Sequence, residues 1–242
     1  MKKLIFFIVM SFLFVFGIDT YAKGFGVGHN KTGQRPNVND SIITDNGGFA
    51  IGEDQKIVYL TFDCGYENGY TEMILDTLKK TDTKAVFFIT GHYLKTSKKI
   101  VKRMIDEGHI VGNHTYSHKD FTKSTKEEIL ADVNKLEDLY YDEFNIEMPK
   151  YVRPPRGEYD EASMKLLNEN GYKTIFWSLA YVDWYKDKYY GSNYSYNKVM
   201  SKMHNGAIIL MHTVSKDNTL DLEKIINEIK QQGYQFKNID TL

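Results

Sequence analysis

Ile57-Val58-Tyr59-Leu60-Thr61-Phe62 runs through six apolar or β-branched residues without a charge and stops at Asp63. The run shows no alternation of polar and apolar positions, which is the pattern of a strand covered on both faces, as in a parallel sheet flanked by helices. Residues 70–80 follow at helical period, and the same alternation then repeats along the chain. A strand is expected over 85–89, a helix over 95–107 and a strand over 109–114. A long helix then opens at a capping box, Ser124 with Glu127 three residues on. Next come a short strand at 151–153 and a helix over 160–170 closed by Gly171 as the residue after the cap. They are followed by a strand over 173–178, a short helix over 196–203 and a strand over 207–212. A last helix over 219–232 ends at Gly233, with one more strand at 234–236. Seven strands alternating with six helices predict an α/β architecture with a parallel sheet. A distorted, closed or partly closed (β/α) barrel is the preferred form. No glycine-rich phosphate loop follows the first strand, which argues against nucleotide binding.

Residues 23–55 carry many Gly and Asn and Pro36, with no sustained period, and read as an irregular N-terminal arm. Residues 1–22 read as a secretory signal: Lys2 and Lys3, an uncharged apolar run, then Thr20-Tyr21-Ala22, with cleavage expected after Ala22. The alternative, a retained anchor, is disfavoured because a fifteen-residue apolar run reaches only about 22 Å of the roughly 30 Å hydrocarbon core. The expected organisation is therefore a signal (1–22), an arm (23–55) and one catalytic-size domain (56–242), exported and without stable membrane insertion.

The chain has 242 residues, 42% of them hydrophobic, enough for one sizeable core. Its 31 Lys and Arg balance 32 Asp and Glu to a net charge of −1, so it lacks the positive field that nucleic-acid binding uses. The single cysteine, Cys64, excludes an intramolecular disulfide and a multi-cysteine zinc site.

Polar residues gather where the expected strands end. Asp63 and Cys64 end the first, His114 the third and Arg153 the fourth, while Asp183 and Trp184 follow the fifth and His212 ends the sixth. In a parallel barrel those ends share one mouth, where active sites assemble. His114 and His118, at i and i+4 on an expected helical turn, suit one divalent ion in an open catalytic site; alone, the same spacing is more often just a polar helix start. Asp63 needs a partner to stay ionised after an apolar strand, and Arg153 supplies one. An ionised Asp63 is then a general base, the alternative being a purely structural ion pair. Asp183 would raise the proton affinity of His212 and fit it to protonate a leaving amine. Base, acid and metal together suit attack of water on an amide or ester carbonyl.

These residues carry a resemblance. Thr61-Phe62-Asp63 with Gly65, His114-Thr115-Tyr116-Ser117-His118, Arg153-Pro154-Pro155-Arg156-Gly157, Asp183-Trp184 and Leu210-Met211-His212 occur in the order of the five motifs of the NodB-homology polysaccharide deacetylases, carbohydrate esterase family 4. The match spans roughly residues 57–236. The resemblance implies a distorted (β/α) barrel and metal-dependent removal of N-acetyl groups from an amino sugar. It assigns Asp63 as base, His212 as acid, and His114 and His118 as metal ligands. Arg153 would orient Asp63 and Asp183 would tune His212. The backbone N–H of Arg156 would face the oxyanion, and Trp184 with Leu210 would enclose the acetyl methyl. Imidazole and oxygen donors at a hydrolytic site favour zinc.

The stretches 61–70, 153–158 and 212–215 resemble most the branch that deacetylates N-acetylmuramic acid in peptide-stripped spore-cortex peptidoglycan, a step toward muramic δ-lactam. By that resemblance the protein works in the cell wall or cortex on a glycan strand, with Tyr66 beside the substrate. Two positions depart from the wider family: Cys64 stands where most members have a metal-binding Asp, and Arg156 where they have Tyr. The Arg156 guanidinium matches the free lactyl carboxylate of peptide-free muramic acid; alternatively it forms a surface ion pair with Glu158. Cys64 either ligates the metal as a thiolate or leaves a weaker site of two histidines with Asp63. Two other functions remain open on sequence alone: an N-acetylglucosamine deacetylase of peptidoglycan or chitin-like oligomers, and a glycan-binding protein with an impaired metal site.

Overall fold

A strand covered on both faces needs neighbours on each edge and a layer on each side, and the first long apolar run obtains all four. The computed structural model describes residues 22–28 and 31–242, so the expected signal segment lies, apart from Ala22, outside the described residues. In chain order the elements are β1 (Lys23–Gly24), α1 (Ser41–Thr44), β2 (Gly48–Phe49), β3 (Ile57–Cys64), α2 (Thr71–Lys80), β4 (Val86–Ile89), α3 (Gly91–Thr96) and α4 (Lys98–Asp106). There follow β5 (Ile110–Asn113), α5 (Lys126–Phe144), β6 (Tyr151–Val152), β7 (Glu158–Tyr159), α6 (Glu161–Glu169) and β8 (Lys173–Ile175). The chain closes with α7 (Tyr194–Met200), β9 (Ala207–His212), α8 (Lys216–Gln231) and β10 (Gln235–Phe236).

All seven expected strands are present and pair in parallel, in the order β10-β3-β4-β5-β6-β8, with β9 also on β3. Past β8 the chain continues to Leu179, which bridges Ile209 of β9, and Leu210 N–H donates to the Leu179 carbonyl at 2.9 Å. The far side of the sheet thus returns against β9, giving the curled, partly closed barrel. Side chains of β3 alternate between two cores. Val58, Leu60, Phe62 and Cys64 pack outward with Ile74, Leu75 and Leu78 of α2. Ile57 and Tyr59 face inward with Phe88, Ile208 and Leu210. Ile74, Leu75 and Leu78 are fully buried, and each such side chain contributes about 1.5–3 kcal/mol on leaving water.

The structure departs from the sequence expectation in several places. The arm is less irregular than its composition suggests: β2 extends the main sheet in parallel beside β8, and β1 pairs antiparallel with β7. The long α5 is capped by Thr125 and Glu128, one residue beyond the expected box, because the Ser124 hydroxyl turns back to the Asp120 carbonyl. The helix expected over 95–107 is two helices, broken at Ser97 (φ −131°), the first capped by Thr90. The helix α7 begins and ends earlier than expected, and α8 begins three residues earlier because Ser215 caps it. Gly171 and Gly233 do end their helices in left-handed conformations, φ 80° and 83°. Among the described residues no helix is long and apolar enough to cross a membrane.

Candidate active site

The inward face of β3 ends in Asp63, and the parallel register places His212 of β9 directly beside it. Around this pair the C-terminal ends of β5 and β6 contribute His114 and Arg153. Arg153 is fully buried, and its guanidinium is committed on every side. Nη1 donates to Asp63 Oδ1 at 2.9 Å, Nε to the Ile175 carbonyl at 3.0 Å and Nη2 to the Phe176 carbonyl at 3.1 Å. The same cation lies 4.3 Å from the centre of the Phe88 ring. Burial alone would raise the Asp63 carboxyl, but nearby His114, Arg153 and His212 and the Arg153 hydrogen bond bring it below the usual carboxylate range. Of these neighbours only the guanidinium is charged at every working pH.

His114 is pushed down by burial and is neutral at neutral pH, despite the Asp63 carboxylate. Its Nδ1 lies 2.9 Å from the Arg153 carbonyl, which can only accept, so Nδ1 carries the proton. That leaves the Nε2 lone pair, 3.5 Å from Asp63 Oδ2. His118 is also neutral, pushed down by burial and by His114 to a pKa of about 4, and its ring centre is 4.9 Å from that of His114. The two histidines do not sit on a helical turn as the spacing suggested. His114 follows a strand, and Thr115 and His118 adopt left-handed conformations (φ 63° and 57°) that fold the intervening loop. Asn113 fixes that loop by accepting from Thr115 N–H, and Asp132 by accepting from Ser117.

Cys64 is adjacent to Asp63 in sequence but faces the opposite way, in the outer core with Phe62. Burial pushes its thiol well above the ordinary cysteine range, which disfavours the thiolate that binds metals. His114, His118 and Asp63 offer the nitrogen and oxygen donors that a divalent ion takes. Among the described residues no three His, Cys, Asp or Glu side chains close into a ready-made metal cage. Two imidazoles and one carboxylate are the donor types of an open catalytic site rather than of a closed structural one.

His212 is held from behind. Its Nδ1 donates to Asp183 Oδ1 at 2.7 Å and its backbone N–H to Asp183 Oδ2 at 2.8 Å. Burial alone would lower its pKa; the Asp183 charge and hydrogen bond, with Asp63, overcome that and raise it. The ring keeps 22% side-chain exposure. Sequence reasoning missed Asn218, which lies behind Asp183 in the first turn of α8. Fully buried, it donates to Asp183 Oδ2 (2.6 Å) and to the His212 carbonyl (3.0 Å). It accepts from Tyr181 and Ser195 hydroxyls at 2.6 and 2.7 Å. The signal that could have found it is Ser215: read as the N-cap, it puts Asn218 three residues on, facing the same strand end.

The remaining expected residues surround this centre. Leu210 lies on the same face as His212, two residues earlier, and is buried. Trp184 is exposed with its ring centre 5.9 Å from that of His212, and Tyr66 is exposed on the loop after β3. Arg156 sits in a left-handed turn (φ 58°) behind Pro154 and Pro155. Its half-exposed guanidinium pairs with both Glu158 (3.0 Å) and Asp120 (2.9 Å), the second partner being one that the sequence had not indicated.

The profile of the polysaccharide deacetylase family matches residues 50–175. The chain is 43% identical over 204 residues, 84% of its length and 78% of the relative's, to the peptidoglycan-N-acetylmuramic acid deacetylase PdaA of Bacillus subtilis. The structure of Bacillus subtilis PdaA, described as a family 4 carbohydrate esterase, superposes with a TM-score of 0.88 at 40% identity, covering 91% of this chain and 96% of that one. A structure described as a CE4 family pseudoenzyme from Bacillus anthracis matches at 30% identity and a TM-score of 0.74, over 81% of this chain and 68% of that one.

Proposed function

The chain belongs to the polysaccharide deacetylase family, and on that premise we propose that it hydrolyses the N-acetyl group of N-acetylmuramic acid in peptide-stripped peptidoglycan, outside the cytoplasmic membrane, as a step toward muramic δ-lactam in spore cortex. The observation that carries this reading is the pairing of Asp63 with His212 on neighbouring strands, their proton affinities pushed apart by separate buried partners. A low-pKa carboxylate beside a high-pKa imidazole is the division of labour that acid–base hydrolysis needs.

In this mechanism Asp63 takes a proton from water as the water oxygen bonds to the acetyl carbon. Arg153 keeps Asp63 ionised and immobile. His114 and His118, with Asp63 at the edge, would hold a divalent metal, zinc by donor type, which when bound would polarise the carbonyl and acidify water. The backbone N–H of Arg156 donates to the developing oxyanion. As the C–N bond breaks, His212 gives its proton to the sugar nitrogen, and acetate and a free amine leave. By the family resemblance, Leu210 and Trp184 would enclose the acetyl methyl, and a small apolar pocket there would select acetate over bulkier acyl groups. The half-exposed Arg156 guanidinium binds the lactyl carboxylate of peptide-free muramic acid in exchange for its contacts with Glu158 and the more buried Asp120.

One observation favours a second reading. With Cys64 turned into the core, a metal ion would find one donor fewer than in a site that included its sulfur, which suits a glycan-binding protein with impaired turnover. The acid and base, each with its own buried partner, favour the enzyme, because recognition alone uses neither. Acetate release from peptide-free cortex glycan, intact peptidoglycan and chitin oligomers, with metal removed and restored, separates the readings. Release only from peptide-free cortex glycan supports the muramic acid reading, and no release from any supports binding alone.

A further inference from the structure

Lys23-Gly24-Phe25-Gly26-Val27-Gly28 alternates a large side chain with glycine, the two-residue period of a strand. The structure keeps that period: Lys23, Phe25 and Val27 are half-buried, and Gly24, Gly26 and Gly28 are exposed. The arm lies along β7, with Lys23 opposite Tyr159 and Gly24 opposite Glu158, and Phe25 N–H donates to the Gly157 carbonyl at 2.8 Å. Its start is fastened separately. Lys23 Nζ donates to Asp40 Oδ2 at 2.8 Å, and the Tyr159 hydroxyl donates to the same oxygen at 2.8 Å.

The turn that the arm meets is one that needs support. Arg156 and Gly157 are consecutive left-handed residues, φ 58° and 67°. Arg156 carries a Cβ, and such backbone persists only where its surroundings over-determine it. Gly157 N–H donates to the Pro154 carbonyl at 3.0 Å from within the turn, while Phe25 N–H holds the Gly157 carbonyl from outside. A Cβ built on Gly157 would stand 2.7 Å from the Trp177 ring and 3.1 Å from Phe25 Cβ, so both side chains press on the turn itself. The Phe25 ring is 4.8 Å from that of Phe176 and stands edge-on to Trp177 at 5.4 Å. Those two rings also flank the base's partner. The Phe176 carbonyl accepts from Arg153 Nη2, and the Trp177 ring lies 5.8 Å from the Arg153 guanidinium.

We propose that Phe25 is a positioning residue for hydrolysis: its ring and backbone N–H fix the Arg156–Gly157 turn and with it the direction of the Arg156 N–H. The proposal rests on the reading of that N–H as the donor to the oxyanion. Such a donor is effective only when aimed in advance at the place where charge develops. Phe25 acts through the turn, and the N-terminal arm thereby becomes part of the apparatus that performs the reaction.

Amide hydrogen exchange of the full protein and steady-state acetate release from peptide-free cortex glycan, in wild type, Phe25→Ala and Phe25→Leu, test this. In Phe25→Ala the expected result is faster exchange confined to the arm and residues 155–159. With it come a kcat about tenfold lower, a KM within about twofold of wild type and both limbs of the pH profile in place, since acid and base are untouched. Phe25→Leu, which keeps an apolar side chain against Trp177, is expected to return kcat to within about threefold of wild type. A lowered thermal midpoint with unchanged kcat at the assay temperature would mean a merely structural role and would overturn the proposal. Wild-type exchange at residues 155–159 in Phe25→Ala, or a change in KM alone, would also overturn it. A displaced pH limb would place the effect on Asp63 or His212 instead, with the same consequence. Phe25→Val replaces Phe25→Ala if the latter does not fold, and is read by the same criteria. No release by wild type with any metal removes the catalytic reading and the positioning role with it. Release by wild type with kcat unaltered in Phe25→Ala removes the positioning role alone.

Discussion

Asp63 and His212 are register partners on adjacent parallel strands, so their side chains leave the same face of the sheet side by side, one fixed by Arg153 and the other by Asp183. The two buried partners have opposite charge. Arg153 favours a proton-free carboxylate and Asp183 favours a proton-bearing imidazole, and the reaction draws on that contrast.

The first expected outcome concerns pH. His212 has its pKa raised above that of an ordinary histidine by Asp183, so its protonated form persists to higher pH, and activity falls as pH climbs through that raised value. In Asp183→Asn the raising charge is gone, and the alkaline limb of kcat/KM moves to lower pH. Activity at neutral pH drops about 100-fold or more as the acid function weakens. An unmoved alkaline limb would assign that limb to another group.

Removing Arg153 leaves Asp63 buried without its counter-ion. Arg153→Met is expected to destabilise the fold by about 3–5 kcal/mol, the cost of breaking one side of a buried pair. Equilibrium urea unfolding measures this. A loss below about 1 kcal/mol would mean that Asp63 finds another partner or protonates freely.

Asn218 acts through Asp183 rather than on substrate. Asn218→Ala strips a hydrogen bond from Asp183 and leaves the Tyr181 and Ser195 hydroxyls without their acceptor. Each buried group so orphaned costs about 1–3 kcal/mol. Steady-state kinetics should show kcat reduced about tenfold with KM little altered, because the acid is displaced while the binding surfaces stay. A change confined to KM would contradict a positioning role.

Cys64 supplies a control on the metal. Since its sulfur lies in the outer core, Cys64→Ser is expected to leave metal affinity within about twofold of wild type in a competition titration with a chelator. The native thiol should also react slowly with a disulfide reagent until the chain unfolds, its burial holding it protonated. A large loss of affinity in Cys64→Ser would show that the sulfur reaches the ion.

The long apolar strands were legible because burial on both faces leaves a pattern that needs no knowledge of the partner. The run at 57–62 and the charged or polar residues just beyond it gave the architecture and the mouth of the barrel. What the sequence hid depends on backbone dihedrals or on contacts distant in the chain. The His114–His118 spacing suggested a helix, but Thr115 and His118 are left-handed, and nothing in the residue types alone announces that. The strand Gly48–Phe49 is two residues long and takes its place from β8 rather than from its own propensity. The pairing of Arg153 with Asp63 was readable, because a carboxylate at the end of a buried strand must have a cation. The second carboxylate on Arg156, that of Asp120, lies far off in sequence and was not.

The most direct test of the central claim is acetate release from peptide-free cortex glycan by wild type and Asp63→Asn, with metal stripped and restored. Metal-dependent release by wild type, reduced at least about 100-fold in Asp63→Asn although that variant still binds the glycan, is the predicted result. Release that survives the Asp63→Asn substitution would contradict the assignment of Asp63 as the base.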